Sequence, residues 1–178
     1  MDYDTVVVGA GPGGSTTARF AARNGARTLL LEKREEIGVP VRCGEGIAPR
    51  WLEMVDVPLE GDWIANRVRG AKIYSPNGNS LTIEDDNLGT EVGMVVHRDK
   101  LDQFLAKLAE DDGAEVRTGV TVTDLLWNGE DVCGVKIRDS NGKESEITCG
   151  VVVGADGFES QVGRWANLPT HRKPADMC

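Results

Sequence analysis

The segment Gly9-Ala10-Gly11-Pro12-Gly13-Gly14 constrains this chain more than any other, because of what stands on either side of it. The run from Asp4 to Val8 is short and β-branched, as expected of a buried strand. Ser15 to Asn24 carries alanines at 18, 21 and 22 and reads as a helix that Gly25 stops. Thr28 to Leu31 is a second buried strand. Strand, helix and strand within about thirty residues make a βαβ unit with a right-handed crossover. In that setting Gly9 permits the tight turn, Gly11 lets a pyrophosphate approach the backbone, and Gly14 lets helix and strand pack closely. The N-terminus of the helix presents unpaired N–H groups and a dipole to the negative charge. Glu32 stands at the end of the second strand, near the spacing of about twenty residues at which an acid grips ribose hydroxyls. Its carboxylate would repel a 2′-phosphate, which disfavours NADP; FAD and NAD both remain open on this motif.

Further along, Lys33 to Arg50 is polar and rich in glycine and proline, and reads as a loop. Arg69 to Tyr74 and Ser80 to Ile83 flank Pro76-Asn77-Gly78-Asn79, a hairpin signal. Glu91 to His97 reads as a strand, and Asp99 to Glu110 as an amphipathic helix with Leu101, Phe104, Leu105 and Leu108 on one face. Glu115 to Arg117 is expected as a third parallel strand. Val120 to Trp127, Val132 to Arg138 and Glu144 to Thr148 are joined by Asn-Gly turns and form an antiparallel meander. Val151 to Val153 is a final buried strand. The expected fold is α/β and Rossmann-like: a parallel sheet with helices on one face and a three-stranded β-meander on the other.

Composition closes off other classes. The net charge of -9 argues against non-specific nucleic-acid binding and a polybasic membrane anchor. No run approaches the ~20 apolar residues of a membrane span, and the start lacks the pattern of a signal peptide, so an intracellular protein is expected. The four cysteines (43, 133, 149 and 178) show neither CxxC spacing nor clustering with His97 or His171, so no metal site is expected. Cys133 and Cys149 read as core, His97 as structural, and Glu84-Asp85-Asp86 and Glu110-Asp111-Asp112 as solvated turns.

Near the C-terminus, Gly154-Ala155-Asp156-Gly157-Phe158-Glu159-Ser160 resembles the DG motif of flavin monooxygenases and their reductase relatives. In those proteins the aspartate sits near the flavin's ribose and pyrophosphate. Together with Glu32 and Arg98 it resembles the FAD domain of the para-hydroxybenzoate hydroxylase-like group. A narrower resemblance lies in Glu32-Lys33-Arg34-Glu35-Glu36-Ile37-Gly38 and Pro40-Val41-Arg42-Cys43-Gly44-Glu45-Gly46. These segments, with Gly163-Arg164-Trp165-Ala166, resemble the archaeal geranylgeranyl reductases, which use FAD to saturate isoprenoid double bonds in membrane ether lipids. That resemblance implies a cofactor set of Gly9, Gly11, Gly13, Gly14, Glu32, Arg34, Cys43, Gly44, Gly46, Arg98, Val122, Asp156 and Gly157, with Val122 acting through its backbone. It also implies an isoprenoid lipid substrate and an electron donor that is NADPH, NADH or ferredoxin.

Alkene reduction needs a hydride from the flavin and a proton for the other carbon. Cys43 and Glu45 are the candidate proton relays, the alternative for Cys43 being simple packing against the ring. A flavin monooxygenase or halogenase domain, and a nucleotide-binding module without catalysis, are the competing readings. The third flavin motif and the substrate-binding portion of the group are missing from residues 1–178. The chain is therefore expected to be one incomplete FAD-binding domain, with an inserted hairpin region around 60–97, amounting to about the N-terminal half of a reductase. Alone it should bind FAD weakly or not at all and expose apolar surface. A cytoplasmic location is expected, peripheral to the membrane through the missing half.

Overall fold

A computed structural model describes residues 1–84 and 93–169. Asp85, Asp86, Glu91, His171 and Cys178 lie outside the described residues. The chain divides into two compact units, Met1–Val39 with Asp102–Cys178, and Pro40–Leu101.

The first unit is built on β1 (Tyr3–Val8), α1 (Pro12–Arg23), β2 (Thr28–Leu31), β8 (Glu115–Arg117), β9 (Thr121–Asn128), β10 (Asp131–Arg138) and β11 (Glu144–Gly154), with a short α4 (Gln161–Trp165). The hydrogen-bonded order is β8-β2-β1-β11-β10-β9. β8, β2, β1 and the second half of β11 are parallel, with Thr5 opposite both Thr28 and Val151. The first half of β11 is antiparallel to β10, which is antiparallel to β9. The segments 144–148 and 151–153 are thus one continuous strand, shared between the meander and the parallel sheet.

Successive side chains of a strand point to opposite faces, and the core divides accordingly. Val6, Val8, Leu29 and Leu31 pack with Leu125, Val135, Ile137, Ile147 and Cys149 of the meander, and with Val162. Val7 and Leu30 pack on the other face with Ala18 of α1 and with Ala106 and Ala109 of α3 (Arg98–Asp111). Burial on both faces is why these strands read as unbroken apolar runs. Each of these buried Val and Leu side chains contributes about 1.5–3 kcal/mol.

α1 begins at Pro12, three residues before the predicted start. Proline's fixed φ suits the first helical position, and the motif's own glycines form the first turn. Both α1 and α3 end in the same way. Gly25 and Gly113, at φ +90° and +101°, reverse the chain; their N–H groups donate to Ala22 and Glu110, and the next N–H groups to Ala21 and Ala109. These are Schellman closures, whose positive φ glycine tolerates best.

The second unit holds β3 (Gly46–Ile47), α2 (Pro49–Glu53), β4 (Ile64–Arg67) and β7 (Met94–Val96), ordered β3-β7-β4, and the hairpin of β5 (Gly70–Tyr74) and β6 (Ser80–Glu84). β3 and the first two residues of α2 fall in the stretch from Lys33 to Arg50 predicted to be loop. Trp63 is buried in this unit, whereas Ile73 and Leu81, opposite one another in the hairpin, are 55% and 62% exposed.

Candidate dinucleotide-binding site

In the order β8-β2-β1-β11, the chain leaves β1 toward one side and returns in β11 on the other. The ends of β1 and β11 therefore meet at a topological switch point, where open α/β sheets hold their ligands. Two glycine-flanked bends follow these strands. The Ala155 N–H donates to the Val8 carbonyl at 2.9 Å, and the Gly9 N–H to the Leu31 carbonyl at 2.7 Å. A Cβ at Gly9 would lie 2.5 Å from the Ala155 carbonyl oxygen and 3.1 Å from Asp156 Cα. One at Gly14 would lie 1.8 Å from the Gly9 carbonyl oxygen and 3.1 Å from Ala155 Cβ. The two bends, far apart in sequence, touch.

The four glycines of the first bend do different things. Gly9 and Gly14 are closed in by backbone. A Cβ on Gly11 or Gly13 would meet nothing within 4 Å. Gly11 is the N-cap of α1, and no side chain caps it. The helix N-terminus therefore presents donors and its dipole to open space, which fits a pyrophosphate.

Glu32 is half-buried at the end of β2. Its Oε2 accepts the Ala10 N–H at 2.9 Å and its Oε1 the Arg34 N–H at 3.1 Å. A carboxylate accepts about four hydrogen bonds, so both oxygens keep capacity for ribose hydroxyls. Glu32 to Arg34 is itself fixed by the stretch after β8: the Gly119 N–H donates to Arg34 and the Val120 N–H to Glu32. Val122 lies just beyond, at the start of β9, with its side chain packed against the core, so its backbone is what it has to offer.

Asp156 is more occupied. Its Oδ1 accepts the Ser160 hydroxyl at 2.7 Å, and its Oδ2 accepts the N–H groups of Gln161 at 2.6 Å and Val162 at 3.1 Å. Ser160 in turn caps the Gly163 N–H at 2.9 Å. Asp156 thereby fastens the second bend to α4, and Gly157 turns the chain at φ +90°. Sequence reasoning missed Ala10, Ala155 and Ser160; the Ser-x-x spacing before Gly163 was the available signal for the last.

The remaining predicted residues, Cys43, Gly44, Glu45, Gly46 and Arg98, fall in the second unit. Cys43 and Gly44 are exposed, Gly46 opens β3, and Arg98 opens α3. The Glu45 carboxylate accepts the Arg98 N–H at 3.3 Å. His97 is held through its backbone, to Trp63 and Leu101. Among the described residues no cluster of His, Cys, Asp and Glu is arranged to hold a metal, and no helix is long and apolar enough to cross a membrane.

A switch-point cradle with an uncapped helix N-terminus and an acid with free acceptor capacity at the end of the second strand defines a dinucleotide-binding domain, and the chain belongs to the FAD binding domain family, which matches residues 2–177. Its cofactor is FAD. The chain is 45% identical over 169 residues to the digeranylgeranylglycerophospholipid reductase of Picrophilus torridus, a match covering 94% of this chain and 42% of that protein. Among solved structures it is similar to a geranylgeranyl bacteriochlorophyll reductase-like protein from Thermoplasma acidophilum. There the TM-score is 0.89 and the identity 44%, over 96% of this chain and 43% of the other. A myxobacterial FAD-dependent chondrochloren halogenase shares the fold at TM-score 0.76 and 28% identity, over 91% of this chain and 39% of its own. The chain thus spans less than half the length of the reductases it matches.

Proposed function

We propose that residues 1–178 supply the FAD-binding portion of a flavin-dependent reductase that saturates isoprenoid double bonds in archaeal membrane ether lipids. One observation carries this reading: identity of 44–45% to the reductase and the reductase-like protein, against 28% to the halogenase.

In this reading Gly9, Gly11, Gly13 and Gly14 receive the pyrophosphate on the N-terminus of α1, and Glu32 takes the ribose hydroxyls. Arg34 borders the adenosine side. Asp156 acts through the bend it holds, since three of its acceptor positions serve α4, and Gly157 lets the backbone approach. Cys43, Gly44, Gly46, Arg98 and the backbone of Val122 are flavin contacts on the strength of resemblance. Reduced FAD, when bound, supplies the hydride. The protein supplies the proton, through Cys43 or Glu45, and keeps water away from the reacting carbons. A lipid substrate goes with a cytoplasmic protein that visits the membrane face.

The test is a chimera in which residues 1–178 replace the matching part of the Picrophilus torridus reductase. With chemically reduced flavin and no oxygen, it should saturate digeranylgeranylglycerophospholipid. A folded, flavin-loaded chimera that leaves the alkenes untouched and consumes oxygen with NADPH would instead favour the monooxygenase or halogenase reading.

A further inference from the structure

Glu45 stands at φ +59°, a left-handed backbone conformation that a residue with a Cβ keeps only when its surroundings fix it. Its surroundings do so from three directions. The Glu45 carbonyl accepts the Val96 N–H at 2.9 Å. Its carboxylate Oε1 accepts the N–H of Arg98, the first residue of α3, at 3.3 Å. Its own N–H donates to the Cys43 thiol at 3.4 Å. Immediately after it, Gly46 and Ile47 pair with Val95 and Met94. The half-buried Glu45 is therefore the joint at which the exposed turn of Cys43 and Gly44 meets the end of β7 and the start of α3.

We infer that Glu45 is a positioning residue: its carboxylate fastens the Cys43-Gly44 turn to the first residue of α3 and so sets where the Cys43 thiol stands. Of the two proton carriers considered above, Cys43 is then the group that faces outward, and Glu45 acts through it. The bearing on alkene reduction rests on the proposed function; the positioning itself does not. The distinction is chemical. A helix N-terminus needs an acceptor oxygen, which a carboxamide supplies as well as a carboxylate. A proton carrier needs an ionisable group, which a carboxamide lacks.

The experiment uses the full 178-residue chain without flavin, so failure of the reductase reading leaves its outcome intact. Alkylation of Cys43 by iodoacetamide is followed peptide by peptide, with buried Cys149 as the internal reference. Amide exchange is followed at Val96 and Arg98. Glu45→Gln should stay within about twofold of wild type in both readouts, because its amide oxygen replaces the lost acceptor. Glu45→Ala should speed exchange at Arg98 by about fivefold or more, the factor that goes with loss of a helix cap, and should change the Cys43 alkylation rate with it. Glu45→Gly, which adopts a positive φ freely, should lose protection at Arg98 and keep it at Val96. The inference is overturned if Glu45→Ala matches wild type in both readouts, or if Glu45→Gln departs as far as Glu45→Ala. Should the alanine variant fail to fold, the Gly and Gln variants decide: equal exchange at Arg98 overturns it.

Discussion

Alanine at Gly14 and alanine at Gly11 should have opposite effects, although the two glycines are three residues apart in one motif. At Gly14 the added Cβ would fall 1.8 Å from the Gly9 carbonyl oxygen. Ordinary contact begins near 3.4 Å, so α1 would have to retreat by about 1.6 Å from a close-packed interface. The obstacle is the Gly9 backbone on one side and the Ala155 Cβ on the other, and neither can yield by a change of rotamer. Overpacking of this kind costs about 3 kcal/mol or more. For a chain of this length that lowers the unfolding midpoint by roughly 6–12 °C. At Gly11 the added Cβ meets nothing within 4 Å, and the backbone, at φ −74° and ψ −179°, accepts any residue. Stability should fall by less than about 1 kcal/mol, the scale of a cap substitution, while the methyl group occupies the space assigned to the pyrophosphate. Thermal unfolding by circular dichroism measures the first effect. Saturation-transfer NMR with ADP, the part of FAD proposed for this cradle, measures the second. Gly14→Ala unfolding at the wild-type temperature would refute the packing argument. Gly11→Ala retaining the full ADP signal would refute the assignment of the cradle.

Four further outcomes follow from the same geometry. ADP should bind at least about tenfold more tightly than its 2′-phosphorylated form because the Glu32 carboxylate repels the added charge; Glu32→Ser should narrow the gap in competition NMR, and equal binding in wild type would remove Glu32 from the ribose. The Tyr3 hydroxyl, and then Arg117, hold the Glu115 carboxyl below its ordinary value of 4.5. A lowered folded value means stability that is present above pH 4.5 and lost as pH falls through the folded value. Tyr3→Phe should flatten the acid limb of the stability profile, by less than about 1 kcal/mol because the pair is half exposed; an unchanged acid limb would refute the coupling. Asp156→Ala should cost about 1–2 kcal/mol and speed amide exchange at Gln161 and Val162, whereas exchange unchanged there would mean that Asp156 does not hold α4. Exposed Ile73 and Leu81 should make the chain self-associate in sedimentation, and replacing both by threonine should reduce it; an identical sedimentation profile would show that the hairpin's apolar face plays no part.

What the sequence disclosed, and what it hid, divides by physical cause. β1 and β2 were legible because burial on two faces demands short apolar runs, and Gly25 marked the end of α1. The glycine fingerprint was legible because Gly9 and Gly14 stand where a Cβ would strike backbone and Gly11 opens α1 without a side-chain cap. The start of α1 was hidden, since glycines that look like loop serve as its first turn. β3 was hidden because a two-residue strand has no periodicity and exists through its pairing with β7. The continuity of β11 was hidden too: Cys149 and Gly150 look like a break, and only pairing with β10 on one stretch and β1 on the next makes them one strand. At the site, the sequence pointed to Asp156 as a ligand, whereas its oxygens are largely spent on α4, a bond pattern that no local spacing announces. The cap that Glu45 places on Arg98 joins residues 53 apart in sequence, and it was equally unreadable.

On this reading the bends after β1 and β11 hold one dinucleotide between them. Backbone amide NMR during a titration with ADP and then FAD would reveal whether they do. The amides of Gly9 to Gly14, Glu32 to Arg34 and Ala155 to Gly157 should shift together along a single binding curve, even where affinity is weak. Shifts confined to one bend, or none at millimolar ligand, would contradict the account.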